Sequence, residues 1–202
     1  GGYCRAEAEV SVEANPSTVT PELAERLAAA GVNRVSLGVQ SFDPVLRGKL
    51  GRAGPVEAVG KAFAALRAAG IENIGLELMF SLPGQTAADL DRDLALALEL
   101  QPEHISCYEL TVKPASDFQR RWLRELDEAA AAGGRFYETV VDRLTGAGYR
   151  WYETSNFALQ GRECRNNLAS LRGADFLGLG AGAWGGLRAR RRRTGSRVNI
   201  TP

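Results

Sequence analysis

Short alternating apolar runs, each followed by an amphipathic stretch, recur four times between about residue 8 and residue 114. Each run ends near a polar residue and a turn, which is the rhythm of βα units in a parallel sheet. In the first unit Val10, Val12 and Ala14 alternate with Ser11 and Glu13, and Pro16 predicts the end of the strand. Thr20 predicts the cap of a helix that opens on Pro21, places Leu23 and Leu27 on one face and stops at Gly31. The second unit sets Val35, Leu37 and Val39 against Ser36, Gly38 and Gln40. Asp43-Pro44 is its cap pair, and a helix from about Pro55 to Ala69 ends at Gly70. In the third, Ile74, Leu76, Leu78 and Phe80 oppose Gly75, Glu77 and Met79, and Pro83-Gly84 breaks the strand. Thr86 with Asp89 predicts a capping box for the leucine-rich helix to Leu100. The fourth strand is expected over Ile105 to Val112, ended by Pro114.

After Pro114 the rhythm changes. Ala129 to Ala132 with Gly133-Gly134 predicts a connector, and Phe136, Val140, Val141 and Leu144 form a helix face that ends near Gly146 to Gly148. One strand is expected over Tyr149 to Phe157, and the remainder is rich in Gly and Arg. The predicted class is α/β, with a βα domain over residues 1–114 and a small α+β region over 115–202.

The 202 residues, 45% hydrophobic and 24% charged, have the proportions of a globular protein and exclude disorder and a collagen-like fibre. A net charge of +1 gives no bulk attraction to nucleic acid or to a membrane surface. The basic excess is concentrated in the RARRRR run at 188–193, which reads first as a solvated tail and second as a phosphate, porphyrin or nucleic-acid contact. No membrane span and no signal peptide are expected, so the cytoplasm is the expected location. Cys4, Cys107 and Cys164 are far apart, without a CxxC pair, and encode neither a disulfide framework nor a local metal knuckle. The single methionine is Met79, and a chain beginning Gly1-Gly2-Tyr3 is expected to be part of a longer protein.

Glu13, Gln40, Glu77 and Tyr108 each fall near the end of one predicted strand, so they are expected on one side of the sheet. Ligands of parallel α/β folds sit at that end. Glu77 interrupts an otherwise apolar strand, and a buried carboxylate is either paired or facing a ligand, the alternative being an exposed edge strand. Solvated turns account for Glu13 or Gln40 taken singly. Together with Arg52 they suit a zwitterionic ligand, because Arg pairs a carboxylate while Glu accepts from ammonium or ribose hydroxyls. His104, the sole histidine, opens its strand at the opposite end and is read as structural. GLGAGAWGG at 178–186 is read as tight turns between short strands, since no helix pattern follows it.

Several strings together resemble a known family: VEANP at 12–16, GVNRVSLGVQSFD at 31–43, LGR at 50–52, LMFSLPGQT at 78–86, PEHIS at 102–106, GYRWYETSNFA at 148–158 and FLGLGAGA at 176–183. In this order they resemble the radical SAM proteins related to oxygen-independent coproporphyrinogen III oxidase, and most of all the haem-chaperone branch. The resemblance implies a partial (βα) barrel, here with about four βα units and the first ones missing upstream. It also implies a [4Fe-4S] cluster on three closely spaced cysteines, S-adenosylmethionine as cofactor, and haem or porphyrin and a haem-acceptor protein as partners. Glu13, Gln40, Arg52 and Glu77 stand where the family contacts S-adenosylmethionine, with Glu77 in place of the usual Asp. The family's CxxxCxxC is absent, its HNxxYW is here Asn166 to Leu171, and the His expected after GLGxGA is Trp184. The readings that follow are a fragment of a haem chaperone, an anaerobic coproporphyrinogen III oxidase, and a truncated product without activity.

Overall fold

The computed structural model describes residues 7–200 apart from 53, 184 and 189–196. Cys4, Trp184 and most of the arginine run therefore lie outside the described residues. The chain forms two compact units, Gly1–Arg162 and Glu163–Pro202.

The first unit is built on a six-stranded sheet in the order β1-β2-β3-β4-β6-β5. Strands β1 (Ser11–Ala14), β2 (Arg34–Gln40), β3 (Asn73–Phe80) and β4 (His104–Glu109) run parallel in sequence order. Helices α1 (Pro21–Ala29), α2 (Pro44–Lys49), α3 (Glu57–Ala68) and α4 (Ala87–Glu99) make the crossovers. Their starts follow side-chain chemistry read from the sequence. Thr20 accepts from Leu23 N and Asp43 from the amides of Val45 and Leu46, while Thr86 and Asp89 exchange a reciprocal capping box.

Strand alternation in register gives the sheet two unlike faces. Val35, Leu37, Ile74, Leu76, Leu78 and Ile105 lie on one face, all fully buried, and pack with Val59, Leu66, Leu90 and Leu94 of the helices. The opposite face carries Arg34, Ser36, Glu77, His104 and Ser106. A bidentate pair, Arg67 to Glu103 at 2.6 and 2.7 Å, braces α3 to the loop before β4, and Glu103 also accepts from Ile74 N at 2.9 Å.

Three expectations are corrected. The fourth strand ends at Glu109 rather than Val112, since Leu110 N to Phe80 O at 3.0 Å is the last rung before the chain turns away. Gly133-Gly134 is no connector but lies inside α6 (Leu123–Gly146), which follows the short α5 (Asp117–Arg121). Gly133 is buried, and a Cβ on it would stand 2.5 Å from Glu109 Oε1, so the glycine lets the helix approach the end of β4. Its propensity cost of about 1 kcal/mol is offset by the burial of Ala129, Phe136, Val140 and Leu144 on the same helix. The single strand expected over Tyr149 to Phe157 is instead a hairpin of β5 (Arg150–Glu153) and β6 (Asn156–Ala158). β6 inserts between β4 and β5 and runs antiparallel to both. The turn is tied by Glu153, whose carboxylate accepts from Ser155 N at 3.0 Å and from the Asn156 amide.

The second unit holds α7 (Arg165–Leu171) and a two-stranded sheet of β7 (Gly185–Arg188) and β8 (Arg197–Ile200). The glycine run before β7 turns the chain back, as its composition predicts. Phe176 and Gly186 bond reciprocally at 2.9 Å, and Gly180 and Gly182 take positive φ.

Thr86→Ala removes the hydroxyl half of the box that starts α4 and leaves the backbone N–H of residue 86 donating to Asp89; an unfolding midpoint in urea should report a loss of about 1 kcal/mol. An unchanged midpoint would show that α4 holds its start without the hydroxyl.

Candidate functional site

The parallel register sorts the polar face into rows. Glu13, Ser36, Gly75 and His104 occupy one row, and Gly38, Glu77 and Ser106 the next towards the strand ends, extended by Asn156 of β6. Gln40 and Tyr108 lie beyond them. Glu13, Gln40, Glu77 and Tyr108 thus share one face of the sheet, spread over successive rows.

Glu77 faces Gly38 across the β2–β3 pair. A Cβ on Gly38 would stand 3.1 Å from Gln40 Nε2, 3.7 Å from Glu77 Oε2 and 3.8 Å from the Ala14 carbonyl oxygen. The missing side chain leaves a cradle in the middle of these groups. Burial raises the Glu77 carboxyl above the ordinary carboxylate range. A hydrogen bond from Ser36 opposes the rise, repulsion from Glu13 adds to it, and the charges of Arg34 and Arg52 oppose it.

Gln40 is buried and holds φ at 68°, in the left-handed region that a non-glycine residue adopts at a cost. The pairing with β3 slips at this point, with a bulge between Gly38 and Gln40. The following turn is pinned from two sides. Arg47 Nη1 donates to the Val39 carbonyl at 2.6 Å, and Asp93 Oδ1 of α4 accepts from Phe42 N at 2.7 Å.

Arg52 does not lie on the sheet. It is exposed, on the loop after α2, with its amide bonded to the Arg47 carbonyl at 3.0 Å, and it reaches the site as a charge that Glu77 senses. Lys49 ties that helix to the loop after β3 by donating to the Pro83 carbonyl at 2.7 Å, and its ammonium lies 5.1 Å over the Trp122 ring. Tyr108 is 39% exposed. Burial raises its phenol, a hydrogen bond with Ser106 opposes the rise, and Glu77, Glu13 and Glu153 disfavour the phenolate.

His104 is fully buried, with Nε2 2.7 Å from the Tyr152 hydroxyl. Burial, then the Arg34 charge, pushes the imidazole down to about 3, so it is neutral. His104 opens β4, at that strand's N-terminal end. The sequence reading set Ser36 on the side of Gly38 and Gln40 but missed Arg34, Ser106 and Asn156 as members of the same face. Arg34 shares the parity of Gly38 and Gln40, which was the available signal. Asn156 was hidden, because its contact with Ser106 at 2.7 Å depends on β6 pairing with β4.

The residues present do not fit a [4Fe-4S] cluster. Cys107 sits on the helix-covered face, and burial, with Asp93 adding to it, pushes its thiol far up, against the thiolate that a cluster requires. Cys164 belongs to the second unit. Among the described residues no three His, Cys, Asp or Glu side chains gather in a group that could hold a metal ion. No helix among them is long and apolar enough to cross a membrane.

A βα sheet with its polar groups at the strand ends defines a class of protein, and residues 3–97 match the model of the radical SAM superfamily. The chain resembles radical SAM proteins over that stretch, and it is similar to the heme chaperone HemW. It is 40% identical to HemW of Bacillus subtilis over 88% of its own length and 47% of that protein, and 41% identical to HemW of Escherichia coli over 89% and 47%. The chain thus spans about half the length of the curated relatives it matches. Its fold superposes on coproporphyrinogen III oxidase HemN of Escherichia coli with a TM-score of 0.68 at 21% identity, covering 94% of this chain and 48% of that one. An archaeal Elp3 from Methanocaldococcus infernus gives a TM-score of 0.52 at 22% identity, over 57% and 28%.

Burial, opposed by hydrogen bonds from Ser41 and from the Phe42 amide, leaves Asp93 with a pKa of about 6 against 3.8 in the unfolded chain. Between those values the folded state holds more of the proton, so stability falls as pH rises through the window. Asp93→Asn should flatten that fall, as guanidinium denaturation at pH 4 and at pH 6.5 will show. Parallel slopes for variant and parent would remove Asp93 as the cause.

Proposed function

We propose that Glu13, Gln40, Arg52 and Glu77 hold S-adenosylmethionine in a radical SAM protein of the HemW type. The single observation that supports this most is the cradle at Gly38, lined by Gln40 Nε2 and Glu77 Oε2. Those donors and acceptors fit a charged nucleoside. Glu13 and Glu77 accept from an ammonium or from ribose hydroxyls and attract a positive sulfonium, Arg52 pairs with a carboxylate, and the Gln40 amide can donate or accept. S-adenosylmethionine held there would supply the precursor of a carbon radical. The residues described here bind and orient the nucleoside, and Glu77 moves no proton while it serves as an acceptor.

In this reading residues 1–114 carry the nucleoside site and residues 115–202 the extension. The intact protein is cytoplasmic, takes haem or a porphyrin as cargo and passes it to an acceptor protein. The relatives' name supports haem over an oxidase reaction, because the likeness to HemN at 21% identity speaks to the fold alone.

Equilibrium dialysis of the chain against radiolabelled S-adenosylmethionine tests the nucleoside reading. Glu77→Gln should weaken binding about tenfold, the scale of one charge-assisted hydrogen bond. Because the folded carboxyl titrates above the usual carboxylate range, affinity should rise between pH 5 and pH 7.5 in the parent and change little in the variant. Equal affinities for parent and variant across that range would sink the assignment.

A further inference from the structure

Below Glu77 the polar face has a floor that the nucleoside reading does not use. Arg34 is 5% exposed, and its Nε is buried without a hydrogen-bond partner. His104 is fully buried, and its Nδ1 likewise has no partner. Both side chains pass beside Gly75. The point where a Cβ on Gly75 would stand lies 3.4 Å from Ser36 Oγ, 3.5 Å from Arg34 Nη2 and 3.5 Å from His104 Cβ. A buried guanidinium N–H without an acceptor is unfavourable, because its desolvation is not recovered by pairing. Glu77 attracts Arg34 but is itself hydrogen-bonded by Ser36.

The tautomer of His104 adds to the demand. Its ring is neutral, and Nε2 lies 2.7 Å from the Tyr152 hydroxyl; a hydroxyl that donates into Nε2 leaves the ring proton on Nδ1. In that tautomer the floor offers the Arg34 Nε–H and an imidazole N–H, neither with an acceptor. We propose that this floor is a carboxylate subsite, with Arg34 and His104 Nδ1 donating to a ligand carboxylate seated over Gly75 and the Ser36 hydroxyl at its edge. A planar monoanion matches the fork. Phosphate, with more charge, is disfavoured by Glu77 one row above and Glu13 beside Ser36.

The chain has one histidine, so its imidazole nitrogens are an unambiguous reporter. The chain labelled with [15N]histidine is titrated with sodium propionate, and with sodium chloride at equal ionic strength. The expected result is a saturable shift of the Nδ1 resonance with propionate only. Arg34→Met should raise the midpoint tenfold or more, and Arg34→Lys should raise it less, since a lone ammonium keeps the charge and loses the fork. Gly75→Ala supplies a second variant in case loss of the guanidinium disturbs folding. Its new methyl meets its neighbours at ordinary contact distances of 3.4 to 3.5 Å, so the chain folds, yet the methyl fills the floor and should weaken the response. A shift that propionate and chloride produce alike, or one that Arg34→Met and Gly75→Ala both leave untouched, overturns the proposal.

The carboxylate could come from the methionyl end of S-adenosylmethionine, in which case Arg34 and not Arg52 holds it, or from a separate acid. Repeating the titration with saturating S-adenosylmethionine distinguishes them, by a raised midpoint in the first case and an unchanged one in the second, and both support the floor. The propionate response needs no nucleoside, so its failure and that of the nucleoside reading are separate results.

Discussion

The register between parallel strands is the constraint from which the other features follow. Glu13 is level with Ser36, Gly75 and His104, and Gly38 is level with Glu77 and Ser106. Once these levels are fixed, alternation decides which side chains meet helices and which meet one another. A slip of one residue in β3 would drive Glu77 into the layer of Leu37 and Leu90 and turn Leu76 and Leu78 outward. Burial of that apolar layer therefore fixes the positions of the polar groups, although no polar contact supplies most of the stabilisation.

The price of the arrangement is a face with charges that lack water on one side and partners on the other. Glu77 is pulled up by burial while Ser36, Arg34 and Arg52 act the other way. His104 loses its charge altogether, and Arg34 keeps one. Such imbalance is a poor way to stabilise a fold and a good way to prepare one for a charged ligand. The left-handed Gln40 fits the same pattern, as strain held by Arg47 and Asp93 at the end of a strand.

Much of the first unit was legible because its signals are local. Thr20, Asp43 and Thr86 cap helices through amides two or three residues away, and the four strands alternate without interruption. Glu13, Gln40 and Glu77 could be grouped because each falls near the end of one predicted strand, one to a βα unit. The parts that stayed hidden depend on long-range contacts. Gly133 looks like a helix breaker until Glu109 is placed against it. The turn between β5 and β6 carries no Gly or Pro, since the Glu153 carboxylate does the work of a turn residue. Asn156 joins the polar face only through antiparallel pairing with β4, a partner some fifty residues earlier in sequence.

Gripping a nucleoside and ligating a cluster make separate demands on a chain. The first needs acceptors, an amide and a guanidinium, the groups that the proposed site draws from Glu13, Glu77, Gln40 and Arg52. The second needs thiolates held in water-poor but electropositive surroundings. Cys107 shows why the sheet does not supply them by accident. It lies between Ser106 and Tyr108, residues of the polar face, and alternation alone turns its sulfur to the opposite side, where burial holds the proton on it.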